Sequence, residues 1–377
     1  MTIKVWNYIR EYQNEKDEIF IAIKQVLDSG TLILGKNVSK FEKEFSSYCN
    51  VQFGIGVGNG TDALFLSLKA LNIGPGDEVI TVPNTAVPTV SAIVSTGATV
   101  KFVDVEPKTY LMDTAKIKEA ITDKTKCIVP VHLFGQCVDM DKISETAKKH
   151  GLYIVEDCAQ SHGAKFRSKK AGSMSDMAAF SFYPTKVLGC FGDGGMVITG
   201  DKSLYEKVKR LRFYGMEETY YSKEHGYNSR LDELQAAILL NKLSRIDEYI
   251  TKRRNLAIQY DKLLAKTGLI LPETMEGNKH VFYLYVVRHH HRDKIISKLK
   301  KKGIIVNISY PWPVHLMPAY RFLGYGEGDF PVAEKAAQEI FSLPMYPSLT
   351  NEEQKIVVKA LLEILSTEIN KPIMRIT

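Results

Sequence analysis

Residues 53–71 read Phe53-Gly54-Ile55-Gly56-Val57-Gly58-Asn59-Gly60-Thr61-Asp62-Ala63-Leu64-Phe65-Leu66-Ser67-Leu68-Lys69-Ala70-Leu71. The first five are a short apolar run, which predicts a buried strand. Gly58 to Thr61 then form a turn, and Leu64, Leu68 and Leu71 recur at helical spacing, so a helix follows over Asp62–Leu71 with Thr61 available as its cap. Strand, glycine turn and helix in that order are the unit of an α/β sheet.

The unit recurs outward from this point. Further strands are predicted at Glu78–Val82, Thr99–Val103, Lys126–Val131, Tyr153–Glu156, Met177–Phe182 and Met196–Thr199. Most are short apolar runs of the kind buried on both faces of a parallel sheet. The alternation persists to about residue 245, preceded by an amphipathic stretch over Val38–Tyr48. From Arg230 a long helical pattern runs towards Leu264. Beyond it the pattern predicts strand Tyr283–Val287, helix Lys294–Lys302, strand Ile304–Ile308 and a terminal helix over Glu352–Leu365. The expected organisation is a large α/β domain over residues 1–245, with a mostly parallel sheet, and a smaller C-terminal α+β domain over residues 246–377.

Composition excludes several classes. The 377 residues are 45% hydrophobic and 25% charged, ordinary globular values that rule out disorder as the main state. Lys+Arg number 50 against 43 Asp+Glu, a balance of +7, but the basic residues form no stripe interleaved with aromatics, which argues against nucleic acid as partner. The longest uncharged stretch, Ile80 to Val100, carries Pro83, Asn84, Pro88 and Gly97 and reads as buried core, not a membrane span. The first residues, MTIKVWNYIREYQNEKDE, hold charges throughout and no apolar leader segment, so a cytoplasmic location is expected. Five cysteines with no CxxC pair argue against a disulfide framework and a structural zinc site. His289, His290 and His291 are adjacent, without the spacing of metal ligands, and read as a solvated turn.

In open α/β sheets ligands gather at the carboxyl ends of the strands. Three sets of polar residues fall there. Gly58-Asn59-Gly60-Thr61 offers close backbone approach and unpaired helix N–H groups to an anion, or is merely a turn. Glu156 and Asp157 end an apolar strand, where a carboxylate needs a cation or strong donor unless it simply caps a helix. Lys186 follows Ser181 by five positions and precedes a glycine-rich loop over 189–195; an amine there could be desolvated and act as a Schiff-base nucleophile, the alternative being an exposed loop lysine. Pyridoxal phosphate requires all of these parts together: an amine for its aldehyde, a carboxylate for its ring nitrogen and donors for its phosphate.

With those residues in view, the chain resembles the DegT/DnrJ/EryC1/StrS sugar aminotransferases, of aspartate-aminotransferase-like (type I) fold with a seven-stranded sheet. The resemblance rests on GNGTDAL (58–64), GDEVITVPNT (76–85), VDVEPKTYLMD (103–113), PVHLFGQCVDMD (130–141), VEDCAQSHGA (155–164), SFYPTKVLGCFGDGGMV (181–197) and GYNSRLDELQAAIL (226–239). It implies that Lys186 carries the pyridoxal phosphate (PLP) covalently and that Asp157 pairs with the pyridine nitrogen. Gln160 is then expected near the cofactor's phenolic oxygen, and Gly60, Thr61 and Ser181 on its phosphate. It further implies a homodimer with shared active sites, in which Asn228 reaches the neighbouring subunit's cofactor phosphate.

The substrates so implied are L-glutamate and a keto sugar on a nucleoside diphosphate. Tyr310-Pro311-Trp312-Pro313-Val314-His315 resembles the family's HY-x-P-x-H segment near the sugar, with Ser309 in place of the first His. Ala86 stands where the family often carries an aromatic that stacks on the cofactor, and Tyr183 directly follows the strand Met177–Phe182. Ala86, Tyr183, Tyr310 and His315 are therefore the expected sugar contacts. The PNTxVPT segment resembles the branch that aminates C-3 of 3-keto-6-deoxy sugars; C-4 amination is the alternative, and a non-catalytic PLP-binding regulatory protein is a second. A dehydratase of this fold would replace the lysine with histidine, and Lys186 is present.

Overall fold

The structure, a computed structural model, describes residues 2–369. Its centre is a seven-stranded sheet. The strands, in chain order, are β1 (Phe53–Val57), β2 (Glu78–Thr81), β3 (Thr99–Phe102), β4 (Thr125–Ile128), β5 (Tyr153–Asp157), β6 (Met177–Ser181) and β7 (Gly195–Thr199). Their order across the sheet is β1-β7-β6-β5-β4-β2-β3. The pairs from β6 to β3 are parallel, and β7 alone runs antiparallel to both of its neighbours. Apart from the edge strand β3, whose positions alternate between open and buried, the strands are mostly buried, which is why they read as apolar runs and not as alternating ones.

Helices cover the sheet, and the interior between them is closely packed. Leu66 and Leu68 of the helix Gly60–Ala70 are fully buried, each contributing roughly 1.5–3 kcal/mol. That helix begins before Asp62: Asn59, not Thr61, is the cap, its side chain accepting from the Asp62 N–H at 2.9 Å. The cap matters because it leaves the N–H groups of Gly60 and Thr61 at the open end of the helix. Gly195, paired with both Val57 and Ser181, passes under this turn so closely that a Cβ would lie 2.2 Å from the Asn59 carbonyl oxygen.

A second core follows the long connection. The helical pattern from Arg230 is two helices, Glu233–Leu243 and Ile246–Leu264, broken at Ser244 and Arg245. Strands Tyr285–Arg288 and Ile340–Leu343 pair antiparallel, with Tyr260, Tyr285 and Phe341 fully buried beside them. The strand expected over Ile304–Ile308 is only Ile304–Ile305, and its parallel partner is Ile3–Lys4 at the start of the chain. Ile3 packs in this second core, and Ile246 and Ile250 pack in the first, so the two cores are interleaved in sequence on both sides of residue 245.

His290 and His291 form the expected turn, with His290 exposed, but His289 is buried at 6% exposure, and its Nδ1 accepts the backbone N–H of His291, so the expectation of a solvated position is corrected for His289 alone. The reason is local: His289 directly follows strand Tyr285–Arg288, and its backbone N–H is bonded to the Glu339 carbonyl oxygen at 3.1 Å. All five cysteines are buried. No helix among the described residues is long and apolar enough to cross a membrane.

Candidate active site

The carboxyl ends of β1, β5 and β6 open into one cavity of about 500 Å³. Gly60, Thr61, Asp157, Gln160, Ser181 and Lys186, which the sequence distributes over more than 120 positions, all line it, with Ala86 and Tyr183. Parallel pairing is the cause: β5 and β6 place Asp157 opposite Ala179, two residues before Ser181, and β7 joins Ser181 to the β1 end.

At one end of the cavity the backbone is bare. A Cβ on Gly60 would sit 2.6 Å from the Ser181 Cβ, so only glycine lets this helix end approach the Ser181 hydroxyl. The turn is braced by Ser229, which lies outside the cavity and which the sequence reading did not single out. The Ser229 hydroxyl donates to Asp62 Oδ2 at 2.6 Å and accepts the Gly58 N–H at 2.9 Å. Asn228, next to Ser229, is exposed and outside this cavity.

At the other end stands Asp157, 5% exposed. Its Oδ2 accepts from the Thr89 hydroxyl at 2.8 Å and its Oδ1 from the Ala159 N–H at 3.1 Å. Thr89 is itself 2.9 Å from the Thr85 hydroxyl. Burial pushes the Asp157 carboxyl above its ordinary range, against the opposing pull of Thr89, Ala159 and the positive charge of Lys186. A buried carboxylate with so little compensation favours a cationic partner in the cavity.

Glu156, one residue earlier, points to the opposite face of the strand, and its role is structural. Its oxygens accept from His132 Nε2 at 2.8 Å, the Gly172 and Met174 N–H groups and the Ser175 hydroxyl. Desolvation would raise this carboxyl, but these donors together hold it below the usual range. His132, Glu156 and Cys158 are the one cluster of metal-ligating type found among the described residues, and Glu156 is already saturated with donors.

Lys186 lies in the loop after β6, its N–H bonded to the Tyr183 carbonyl oxygen at 2.9 Å. Its Nζ is 4.7 Å from the centre of the Tyr283 ring, and the Tyr283 hydroxyl is 3.0 Å from that of Thr185. Gln160 is fixed at both ends of its amide: Oε1 accepts the Phe134 N–H at 2.8 Å and Nε2 donates to the Tyr310 hydroxyl. Phe134 and Tyr310 stack at 6.2 Å, and both adopt left-handed backbone, with φ of 60° and 63°. Tyr310 thus reaches the site through Gln160. His162, fully buried among Phe45, Phe180 and Phe182, is held down to about 3 by burial and stays neutral at working pH.

His315 is not brought to the cavity. It is 1% exposed, its Nε2 is 3.1 Å from Glu334 Oε1, and Phe102 and Phe330 flank it. The neighbouring Val314 N–H bonds to the Pro83 carbonyl oxygen at 2.9 Å, which pins the segment to the Pro83–Thr85 loop and turns the histidine inward.

The DegT/DnrJ/EryC1/StrS aminotransferase family model matches residues 13–362. The chain belongs to that family. It is 52% identical over 97% of its length to the whole of a dTDP-3-amino-3,4,6-trideoxy-alpha-D-glucose transaminase from Micromonospora megalomicea subsp. nigra. It is 43% identical to a pleiotropic regulatory protein of Geobacillus stearothermophilus, over 96% of this chain and 98% of that one. Among solved structures, S. venezuelae DesV superposes with a TM-score of 0.95 at 42% identity, covering 97% of this chain and 98% of the other. As a DegT/DnrJ/EryC1/StrS protein, it has the type I fold and is a PLP-dependent sugar aminotransferase. The residues present fit that cofactor. The Gly60 approach to Ser181 leaves a bare anion cradle, and the under-compensated Asp157 carboxylate faces the same cavity as the Lys186 amine.

Proposed function

We propose that the protein transfers the amino group of L-glutamate to C-3 of a 3-keto-6-deoxyhexose carried on dTDP, giving a dTDP-3-amino-3,6-dideoxyhexose in the cytoplasm. The observation that carries an aminotransferase site is the convergence of Lys186, Asp157 and the Gly60–Ser181 cradle on one cavity. Support for a 3-amino product comes from the Micromonospora relative, whose name specifies one.

PLP, when bound, supplies an electron sink for the carbanion formed at the donor's Cα. The residues of the chain do the rest. Gly60, Thr61 and Ser181 would hold the phosphate through backbone N–H groups and a hydroxyl at a helix N-terminus. Asp157 would keep the ring nitrogen protonated, and Gln160, clamped by Phe134 and Tyr310, would present its amide to the phenolic oxygen. The Lys186 amine would take the proton from the donor's Cα as general base and would deliver it as general acid to the cofactor carbon that bore the aldehyde. Ala86, small and at the cavity wall, leaves room for the sugar ring beside Tyr183. Asn228, exposed in the single chain, is free to reach a second subunit's phosphate in a homodimer.

Two other readings make different predictions. Amination at C-4 requires a 4-keto-6-deoxy sugar. A regulatory role is favoured by the name of the Geobacillus relative. Incubation of the PLP-loaded enzyme and L-glutamate with dTDP-3-keto- and dTDP-4-keto-6-deoxyhexoses, with NMR of the products, separates them. The 3-keto substrate is expected to be aminated at least ten-fold faster. Preference for the 4-keto sugar overturns the C-3 assignment, and turnover of neither favours the regulatory reading.

A further inference from the structure

Asp157 is supported by a chain of contacts that begins outside the cavity. Thr89 gives its one hydroxyl proton to Asp157 Oδ2, so in its 2.9 Å contact with Thr85 it is Thr85 that donates. Both hydroxyls are therefore aligned towards the carboxylate, and both residues are buried and line the cavity. Thr89 belongs to the helix Val87–Ser95, whereas Thr85 lies in the loop before it, so the alignment depends on where that loop sits.

The loop has little hold of its own. Asn84 is fully buried, yet neither its Nδ2 nor its Oδ1 has a partner among the described residues. Across Pro83, Asn84 and Thr85, the one backbone hydrogen bond among the described residues is the 2.9 Å bond from the Val314 N–H to the Pro83 carbonyl oxygen.

Val314 is firmly placed. It opens the short helical turn Val314–Leu316, and the next residue, His315, donates from Nε2 to Glu334 Oε1 at 3.1 Å. Glu334 also accepts the Gly328 and Phe330 N–H groups. Its helix, Pro331–Glu339, is fixed at its start by Asp104, which accepts the N–H groups of Val332 and Ala333 at 3.0 Å each. Neither Val314 nor His315 lines the cavity, and both are buried.

We propose that Val314 and His315 are positioning residues for the cofactor's ring nitrogen, fixing Pro83 so that Thr85 and Thr89 keep Asp157 aimed at it. The inference rests on the pairing of Asp157 with that nitrogen proposed above and extends it to residues beyond the cavity. It gives His315 a role although its ring lies outside the site.

The test uses Val314→Pro, which removes the N–H at the first position of a helical turn, where proline is tolerated, and after Pro313, whose ψ of 141° suits a following proline. Val314→Ala keeps the N–H and loses the packing. PLP affinity is read by fluorescence titration of the apo proteins, with melting temperatures alongside, in the wild-type and Thr89→Val backgrounds. Losing the hold of one hydrogen bond should weaken PLP binding about three- to ten-fold in Val314→Pro, and less than two-fold in Val314→Ala even where both lower the melting temperature. Thr89→Val should itself weaken binding at least three-fold, and adding Val314→Pro to it should change the affinity less than two-fold, because the chain is already cut. His315→Leu should follow the pattern of Val314→Pro and replaces it if that variant does not fold. No loss in Val314→Pro, an equal loss in both backgrounds, or a loss as large in Val314→Ala overturns the positioning role and leaves the Asp157 assignment intact. Wild-type PLP affinity in Asp157→Asn overturns that assignment and this inference with it.

Discussion

Replacing Thr89 with valine removes one hydroxyl at nearly constant volume, and the structure sets the size of the effect. Thr89 is 1% exposed, and its hydroxyl donates to Asp157 Oδ2 at 2.8 Å. A hydrogen bond to a charged group contributes about 1.5–3 kcal/mol, and at about 1.36 kcal/mol per unit its loss raises the Asp157 carboxyl by a further one to two units. Asp157 keeps only the weaker 3.1 Å bond from Ala159 and loses the fixed orientation of its second oxygen. If that weakening is felt fully in the transition state, the half-reaction with L-glutamate slows roughly ten-fold to a hundred-fold. The assay is stopped-flow absorbance of PLP-loaded wild-type and Thr89→Val protein mixed with L-glutamate, with melting temperatures measured alongside. A folded Thr89→Val protein whose half-reaction rate stays within two-fold of wild type would refute the reasoning that Thr89 holds the Asp157 charge.

Other expectations follow from the same geometry. Gly60→Ala places a methyl 2.6 Å from the Ser181 Cβ, an overpacking worth about 1–3 kcal/mol, so PLP should bind roughly five- to a hundred-fold more weakly by fluorescence titration of the apo protein. Burial raises Asp157 above its unfolded value, so in the apo protein the folded state loses stability as pH rises from about 4 through the folded pKa. Asp157→Asn should therefore raise the apo melting temperature at pH 7, with the gain vanishing near pH 4, while catalysis is lost. Glu156 is shifted the other way: its stabilisation is present above about pH 4.5 and is lost on acidification through its lowered folded pKa. Glu156→Gln should cost about 1.5–3 kcal/mol in urea unfolding at pH 7 and progressively less in acid.

The sheet was legible because its strands are buried on both faces, so each apolar run ends within two or three residues of its strand. The site was legible for the same reason: Asp157, Ser181 and the Gly60 turn sit where those runs stop. Elements whose apolar face is thin were hidden. The helix Tyr8–Ser29 buries only Ile19, Ala22 and Val26 and carries charges all round. The break at Ser244 and Arg245 has neither glycine nor proline to announce it. Thr89 supports Asp157 from 68 positions away, a partnership that no local pattern encodes. His315 shows the reverse limit: the segment resembles a sugar-contacting motif, but its Glu334 partner and aromatic packing draw the ring into the interior.

The most direct test of a lysine-bound cofactor turned over by an amino donor is the visible absorption spectrum of the PLP-loaded protein before and after L-glutamate. The wild type should show a Schiff-base band that bleaches to the pyridoxamine form, and Lys186→Ala, still folded, should give no catalytic turnover. A wild-type band unmoved by glutamate, or substantial steady-state activity in Lys186→Ala, would contradict it.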